Sequence, residues 1–328
     1  MIRATCRRAF TRRVLCGIFF SALLFPTVAN AQDELQAFRQ VAYESGHGTV
    51  TLKQGPGGGF YALNQADRCV WMFSSSGSST GHISSIGMGP SDLLSPKDLA
   101  VDSDGNAIVA DASGAVKIFS PSGHLLISFP FERPQHVASM SGGRILVSGF
   151  PKDYLISIFD RQGKLLGKLG TPAKVDDDPF FNSVLNMGAI FADGSDNIYY
   201  VFTYMLTPTV RKYKPDGTLV AEWHLSDGKT LEQNLAAARL KYQENKKSAN
   251  YGGVPILTAV AFDQDSGTLW VASGAQITLL DSSGHTLRIV NLALPDGKPL
   301  QTGGMSVERD TIRASTYLAG IFEYQKPH

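Results

Sequence analysis

Cysteine is nearly absent from the part of this chain that can form a core. Cys6 and Cys16 lie close to the N-terminus and only Cys69 follows, so an intramolecular disulfide is excluded once that first segment is removed. Cys69 stands beside Val70 and Trp71 and reads as a buried apolar residue, not a nucleophile. Long apolar runs are missing too: after Val14 to Phe25, none is long enough to cross a bilayer as a helix. Basic clusters are also lacking. The chain carries 30 basic and 29 acidic residues, five of the arginines precede residue 14, and without these the acidic residues outnumber the basic ones by four. Such a surface argues against nucleic acid and anionic membranes as partners. There is no Walker loop, no H-E-x-x-H and no C-x-x-C, so no cofactor is implied by motif. Gly77-Ser78-Ser79-Thr80-Gly81 matches G-x-S-x-G only formally, because it joins two strands with no helix after it.

What the N-terminus does hold is a charged start (Arg3, Arg7, Arg8, Arg12, Arg13), the apolar run, and the small-residue site Ala29-Asn30-Ala31. This is the pattern of a secretory signal peptide over residues 1–31, and residues 32–328 are then the mature chain. Thr11-Arg12-Arg13-Val14-Leu15 also has the form of a twin-arginine signal, so Tat and Sec export both stay open. Cys16 precedes the apolar core and lacks the small residues expected before a lipidated cysteine. The expected location is periplasmic or secreted.

The mature chain is organised around Ser95 to Phe129. Leu99 and Val101 alternate with Ala100 and Asp102, Asp104-Gly105 supplies a hairpin turn, and Ala107 to Ala110 must fold back on the first strand. Strands at Val116 to Phe119 and His124 to Phe129 complete a four-stranded antiparallel meander, which cannot bury its own faces. It recurs. Copies begin at Val137, Ala189 and Ala259, a weaker one covers Thr49 to Ser85, and a last one, from Met305 to Tyr324, stops after three strands. Phe38 to Ser45, with Val41 and Tyr43, is placed to supply the missing strand and close a ring. The fold class is therefore all-β: a six-bladed β-propeller of four-stranded antiparallel blades, closed by an N-terminal strand, with one helical insertion at about 228–250.

Leu99-Ala100-Val101-Asp102, Gly105-Asn106 and Val109-Ala110-Asp111 resemble the core of the NHL repeat, and the chain resembles NHL-repeat six-bladed propellers of the TolB-like and gluconolactonase-like kind over nearly everything after residue 46. Gly188, Ala259 and Gly304 stand where Asp98 stands in the matching blade, so the resemblance carries the fold further than any site.

On such a ring, the loops entering the inner strand and those joining strands two and three share one face, called the upper face here. The longest departures from the repeat fall on it: Gly149 to Tyr154, Thr171 to Asn186, Thr203 to Thr209 and Asp227 to Ile256. Loops on a rigid scaffold commonly carry binding residues. Phe150, Tyr154, Phe180, Phe181, Tyr204 and Tyr251 all lie in these insertions and are the candidate ligand-binding residues; packing of the loops onto the propeller is the competing reading. Thr230 to Lys247, free of Gly and Pro, predicts a helix whose stripe of Leu231, Leu235 and Tyr242 lies over the upper face. Asp176-Asp177-Asp178 reads as a solvated run.

The expected function is a binding module for a small molecule, glycan, peptide or partner protein. The alternative is a metal-dependent lactonase-like hydrolase or lyase with its site at the channel mouth. Resemblance to gluconolactonase-like and paraoxonase-like propellers implies a cation there. Of the residues opening the inner strands, His47, Asp98 and His136 are the only ones that could form a Zn-like set, while a Ca site would need more oxygens. A structural role like that of TolB-type propellers is a third reading.

Overall fold

The computed structural model describes residues 33–41, 50–83, 87–248, 252–316 and 320–327. The expected signal segment, His47, Tyr43 and Tyr251 lie outside them.

Six four-stranded antiparallel blades form from the described residues. Blade 1 is built from Val50–Gln54, Phe60–Asn64, Cys69–Phe73 and Ser79–Ile83. Blade 2 is Pro96–Val101, Ala107–Asp111, Ala115–Phe119 and Leu125–Pro130. Blade 3 is His136–Ser139, Ile145–Ser148, Ile156–Phe159 and Leu165–Leu169. Blade 4 is Gly188–Ala192, Ile198–Phe202, Thr209–Tyr213 and Leu219–His224. Blade 5 is Ala259–Asp263, Thr268–Ser273, Gln276–Leu280 and Thr286–Ala293, and blade 6 takes Gly304–Glu308, Thr311–Thr316 and Gly320–Gln325 from the C-terminus.

The turn chemistry works as the residue types require. In blade 2, one Asp102 oxygen accepts from the backbone N–H groups of Asp104 and Asn106, both at 2.9 Å, and Gly105 takes a left-handed φ of 80°. Blade 4 puts Asp196 in the equivalent left-handed position, at φ 60°, where an L-residue is strained. The side chain offsets that cost by tying blade 4 to blade 3, since it accepts from the Ser141 N–H at 2.9 Å and from Arg144 at 2.8 Å. Immediately after the turn into the outer strand, blades 1 to 5 share a bulge, which leaves Thr80, Leu126, Leu166, Val220 and Leu287 as the extra residues. Bulges there twist the outer strands and blunt exposed edges.

Burial follows the seams between blades. Among the described residues, six apolar clusters form, one at each junction of neighbouring blades; Phe129, Val137 and Phe159 sit in the one between blades 2 and 3, for example. Ring closure is by the N-terminal strand expected from sequence: Arg39–Val41 pairs antiparallel with Gly320–Gln325, completing blade 6. An additional strand, Asp33–Gln36, adds in parallel to the outside of blade 5, pairing Asp33 with Val290, so two neighbouring blades are bound to the N-terminus. Sequence reading missed it, because Asp33-Glu34-Leu35-Gln36 carries only one strongly apolar residue.

The helix in the largest insertion runs Lys229–Ser248. Leu231 and Ala238 are buried with Tyr199, Val210, Leu269 and Val271, so it caps the seam between blades 4 and 5. A short helix, Pro179–Leu185, stands on the connection between blades 3 and 4, inside the 171–186 insertion. Asp178 is its N-cap, accepting from the N–H groups of Phe180 and Phe181 at 2.8 and 3.0 Å.

Candidate functional site

A cavity of about 620 Å³ opens over blade 3 on the upper face. Three segments wall it. Phe131 and Arg133 come from the connection between blades 2 and 3, Phe150 and Tyr154 from the loop between the second and third strands of blade 3, and Phe180 and Ser183 from the short helix. Phe150 and Phe180 face one another with ring centroids 6.0 Å apart. The guanidinium of Arg133 lies over the Phe150 ring, 4.3 Å from its centroid, and the ammonium of Lys168 lies over the Tyr154 ring at 3.9 Å while donating to the Tyr154 hydroxyl. Ser183 is buried, and its Oγ has no hydrogen-bond partner among the described residues.

Local backbone makes this arrangement possible. Gly149 sits so close to the 131–133 connection that a Cβ there would lie 3.1 Å from the carbonyl oxygen of Arg133 and from the Phe131 ring. Arg133 itself holds a left-handed φ of 49°, ahead of the buried Pro134. Asn186, fully buried, fastens the other wall: its amide exchanges two hydrogen bonds of 2.8 Å with the backbone of Ala173.

The six aromatic candidates therefore separate. Phe150, Tyr154 and Phe180 line the cavity. Phe181 turns the other way, is buried, and meets Tyr242 of the long helix edge-on at 5.8 Å. Tyr204 packs with Phe181 and Tyr242 around a gap of about 20 Å³, with Gly253 against its ring, and burial raises its hydroxyl pKa. Tyr251 lies outside the described residues. Sequence reasoning missed Phe131 and Arg133, because it weighted long loops and the connection carrying them is short, and missed Ser183, inside the 171–186 insertion, because only aromatic residues were weighed there. An aromatic residue two positions from an arginine on the same face was the available signal.

The acidic run is not uniformly solvated. Asp177 is exposed, Asp178 caps the short helix, and the Asp176 side chain is buried under the long helix, accepting from the Tyr242 hydroxyl and from Lys246 at 2.9 Å. Burial alone would raise the Asp176 pKa, and these donors more than reverse that, holding it below the usual carboxylate value.

At the start of the inner strands, Asp98 is buried and its oxygens accept from the N–H of Leu99 at 2.8 Å and of Val137 at 3.2 Å. His136 Nδ1 is 3.3 Å from it and the Lys53 ammonium 4.0 Å. Burial raises the Asp98 pKa, but Lys53 and His136 outweigh it and leave the carboxyl below its ordinary value. Asp98 thus joins blades 1, 2 and 3. Among the described residues, no three His, Cys, Asp or Glu side chains converge as metal ligands; Asp98 and His136 meet, and His47 is outside the described residues. Cys69 is buried, and Ser79 opens an outer strand paired with Phe73, without the elbow that G-x-S-x-G catalysis needs.

No family model matches the sequence, and no curated protein sequence matches it. Solved structures do resemble it. A catalytically inactive virginiamycin B lyase from Staphylococcus aureus, solved with quinupristin, is similar at a TM-score of 0.57 and 11% identity, over 87% of this chain and 83% of that one. A streptogramin B lyase gives 0.55 at 12% identity, over 88% and 87% of the two chains. U3-55K gives 0.58 at 12% identity, over 88% of this chain and 98% of its own. At such identities the likeness is one of fold: the chain is a six-bladed β-propeller.

Proposed function

We propose that this chain is an exported binding propeller whose ligand seats in the aromatic cavity over blade 3. The observation that carries the reading is convergence: Phe131, Phe150 with Tyr154, and Phe180 reach one cavity from three separate segments. Its volume lies within the roughly 300–1,000 Å³ of small-molecule sites, and an apolar wall with a few fixed polar groups is the usual make-up of such sites. A small molecule, a sugar unit of a glycan or one side chain of a peptide or protein partner fits that description. Catalysis is not required by anything in this cavity.

The metal-dependent lactonase-like or lyase-like alternative rests on Asp98 and His136 with His47. Lys53 counts against it, because its ammonium already offers Asp98 a positive charge. Zinc and calcium analysis of the purified mature protein and of His136→Ala separates the two: stoichiometric metal lost in the variant would favour the enzyme.

The binding reading is tested by saturation-transfer NMR with a mixture of aromatic and saccharide fragments. Signals are expected from the wild type and from Tyr204→Ala, and are expected to vanish in Phe150→Ala with Phe180→Ala. Equal signals in that double variant would place the site elsewhere.

A further inference from the structure

Arg133 is held in the cavity by more than its own side chain. Its left-handed backbone is strained for an L-residue, and such strain persists only where surrounding structure imposes it. Here the imposing parts are the buried Pro134 and the close approach to Gly149. The result is a guanidinium laid on the Phe150 ring, which restricts its orientation and leaves its N–H edges to act as a fork. Among the described residues, neither Arg133 nor its neighbour Lys152 forms an ion pair, although Glu132 and Asp153 stand on the same rim. The protein has therefore placed a planar cation beside facing aromatic rings and not neutralised it with its own acids.

Resting on the binding function proposed above, we infer that the ligand is a carboxylate carried on a flat apolar body, with Arg133 as the residue that selects the acid. The body would lie among Phe131, Phe150 and Phe180, and the carboxylate would accept from the guanidinium fork, the geometry in which arginine outperforms lysine. Ser183 Oγ, lacking a partner, offers one further polar contact within the same walls.

The test uses 2-naphthoate and its neutral counterpart 2-naphthamide, titrated calorimetrically into the intact mature protein. The acid is expected to bind about tenfold or more tightly than the amide. Arg133→Gln should abolish that preference, so that acid and amide bind alike, and Arg133→Lys should restore it only in part. If the amide binds as tightly as the acid, and Phe150→Ala with Phe180→Ala removes both, the cavity stands and the carboxylate class is wrong. A preference for the acid that survives Arg133→Gln also overturns the inference. Absence of binding by either compound at millimolar concentration would overturn this inference, while saccharide or other fragment signals lost in Phe150→Ala with Phe180→Ala would leave the binding site standing.

Discussion

Phe180 and Phe181, consecutive residues at the start of one short helix, face opposite ways: Phe180 forms a wall of the cavity over blade 3, and Phe181 is buried against Tyr242 of the long helix. A ring that lines the cavity is thus one peptide bond from a ring that touches the helical insertion. Asp176, just ahead of the same helix, is fastened to Tyr242 and Lys246. The insertion thereby braces the cavity wall without lining it.

Loosening that brace should weaken binding at a distance. Tyr242→Phe removes one of the two donors to Asp176 Oδ2, Lys246 remaining at 2.9 Å, at a cost of about 1 kcal/mol. A lower urea midpoint is expected, with a several-fold weaker Kd for any cavity ligand, although Tyr242 is not among the cavity-lining residues. Unchanged affinity at reduced stability would show that the helix only caps the blade seam.

Ring closure offers a stability test. Glu323 is buried and accepts from Arg313 Nε at 2.9 Å while also pairing with Arg39 of the closing strand. Glu323→Gln removes the carboxylate shared by the two arginines, although Arg313 keeps Glu308 at 2.9 Å and Arg39 is partly exposed and also donates to the Ser76 carbonyl. A loss of about 1–3 kcal/mol in equilibrium unfolding is expected, the range for charge-assisted hydrogen bonds. A loss below about 1 kcal/mol would mean that backbone pairing alone closes the ring.

Acid should act through Asp98. Its folded pKa lies below its unfolded value near 3.8, so its contribution is complete above that value and is lost as pH falls through the folded pKa. Asp98→Asn is expected to cost about 1–3 kcal/mol at neutral pH and to flatten the decline of stability below pH 3.8. Parallel acid limbs for the wild type and variant would remove Asp98 from the acid response.

Cys69 should be inert in the folded protein. Burial, with Asp67 nearby, pushes its pKa up to about 11, so almost no thiolate exists at neutral pH. Ellman's reagent is expected to label it only in denaturant. Rapid native labelling would show that blade 1 opens readily.

The propeller was legible because its repeat is written locally. A turn such as Asp102 to Asn106 and a period-2 strand beside it specify each other within a dozen residues, and the unpaired last copy required a strand near Val41. The site was legible only in part. Phe150, Tyr154 and Phe180 could be named as loop aromatics, but nothing local distinguishes Phe180 from Phe181; a helical turn capped by Asp178 sends one outward and the other inward. Arg133 was missed for the same physical reason. Its role depends on contact with Phe150, seventeen positions away, and on a glycine that lets two loops approach.

Where a ligand sits is tested most directly by a crystal of residues 32–328 soaked with 2-naphthoate. The ring system is expected in the cavity walled by Phe131, Phe150 and Phe180, with the carboxylate toward Arg133. Density at the channel mouth beside Asp98 and His136, with the blade 3 cavity empty, would contradict it.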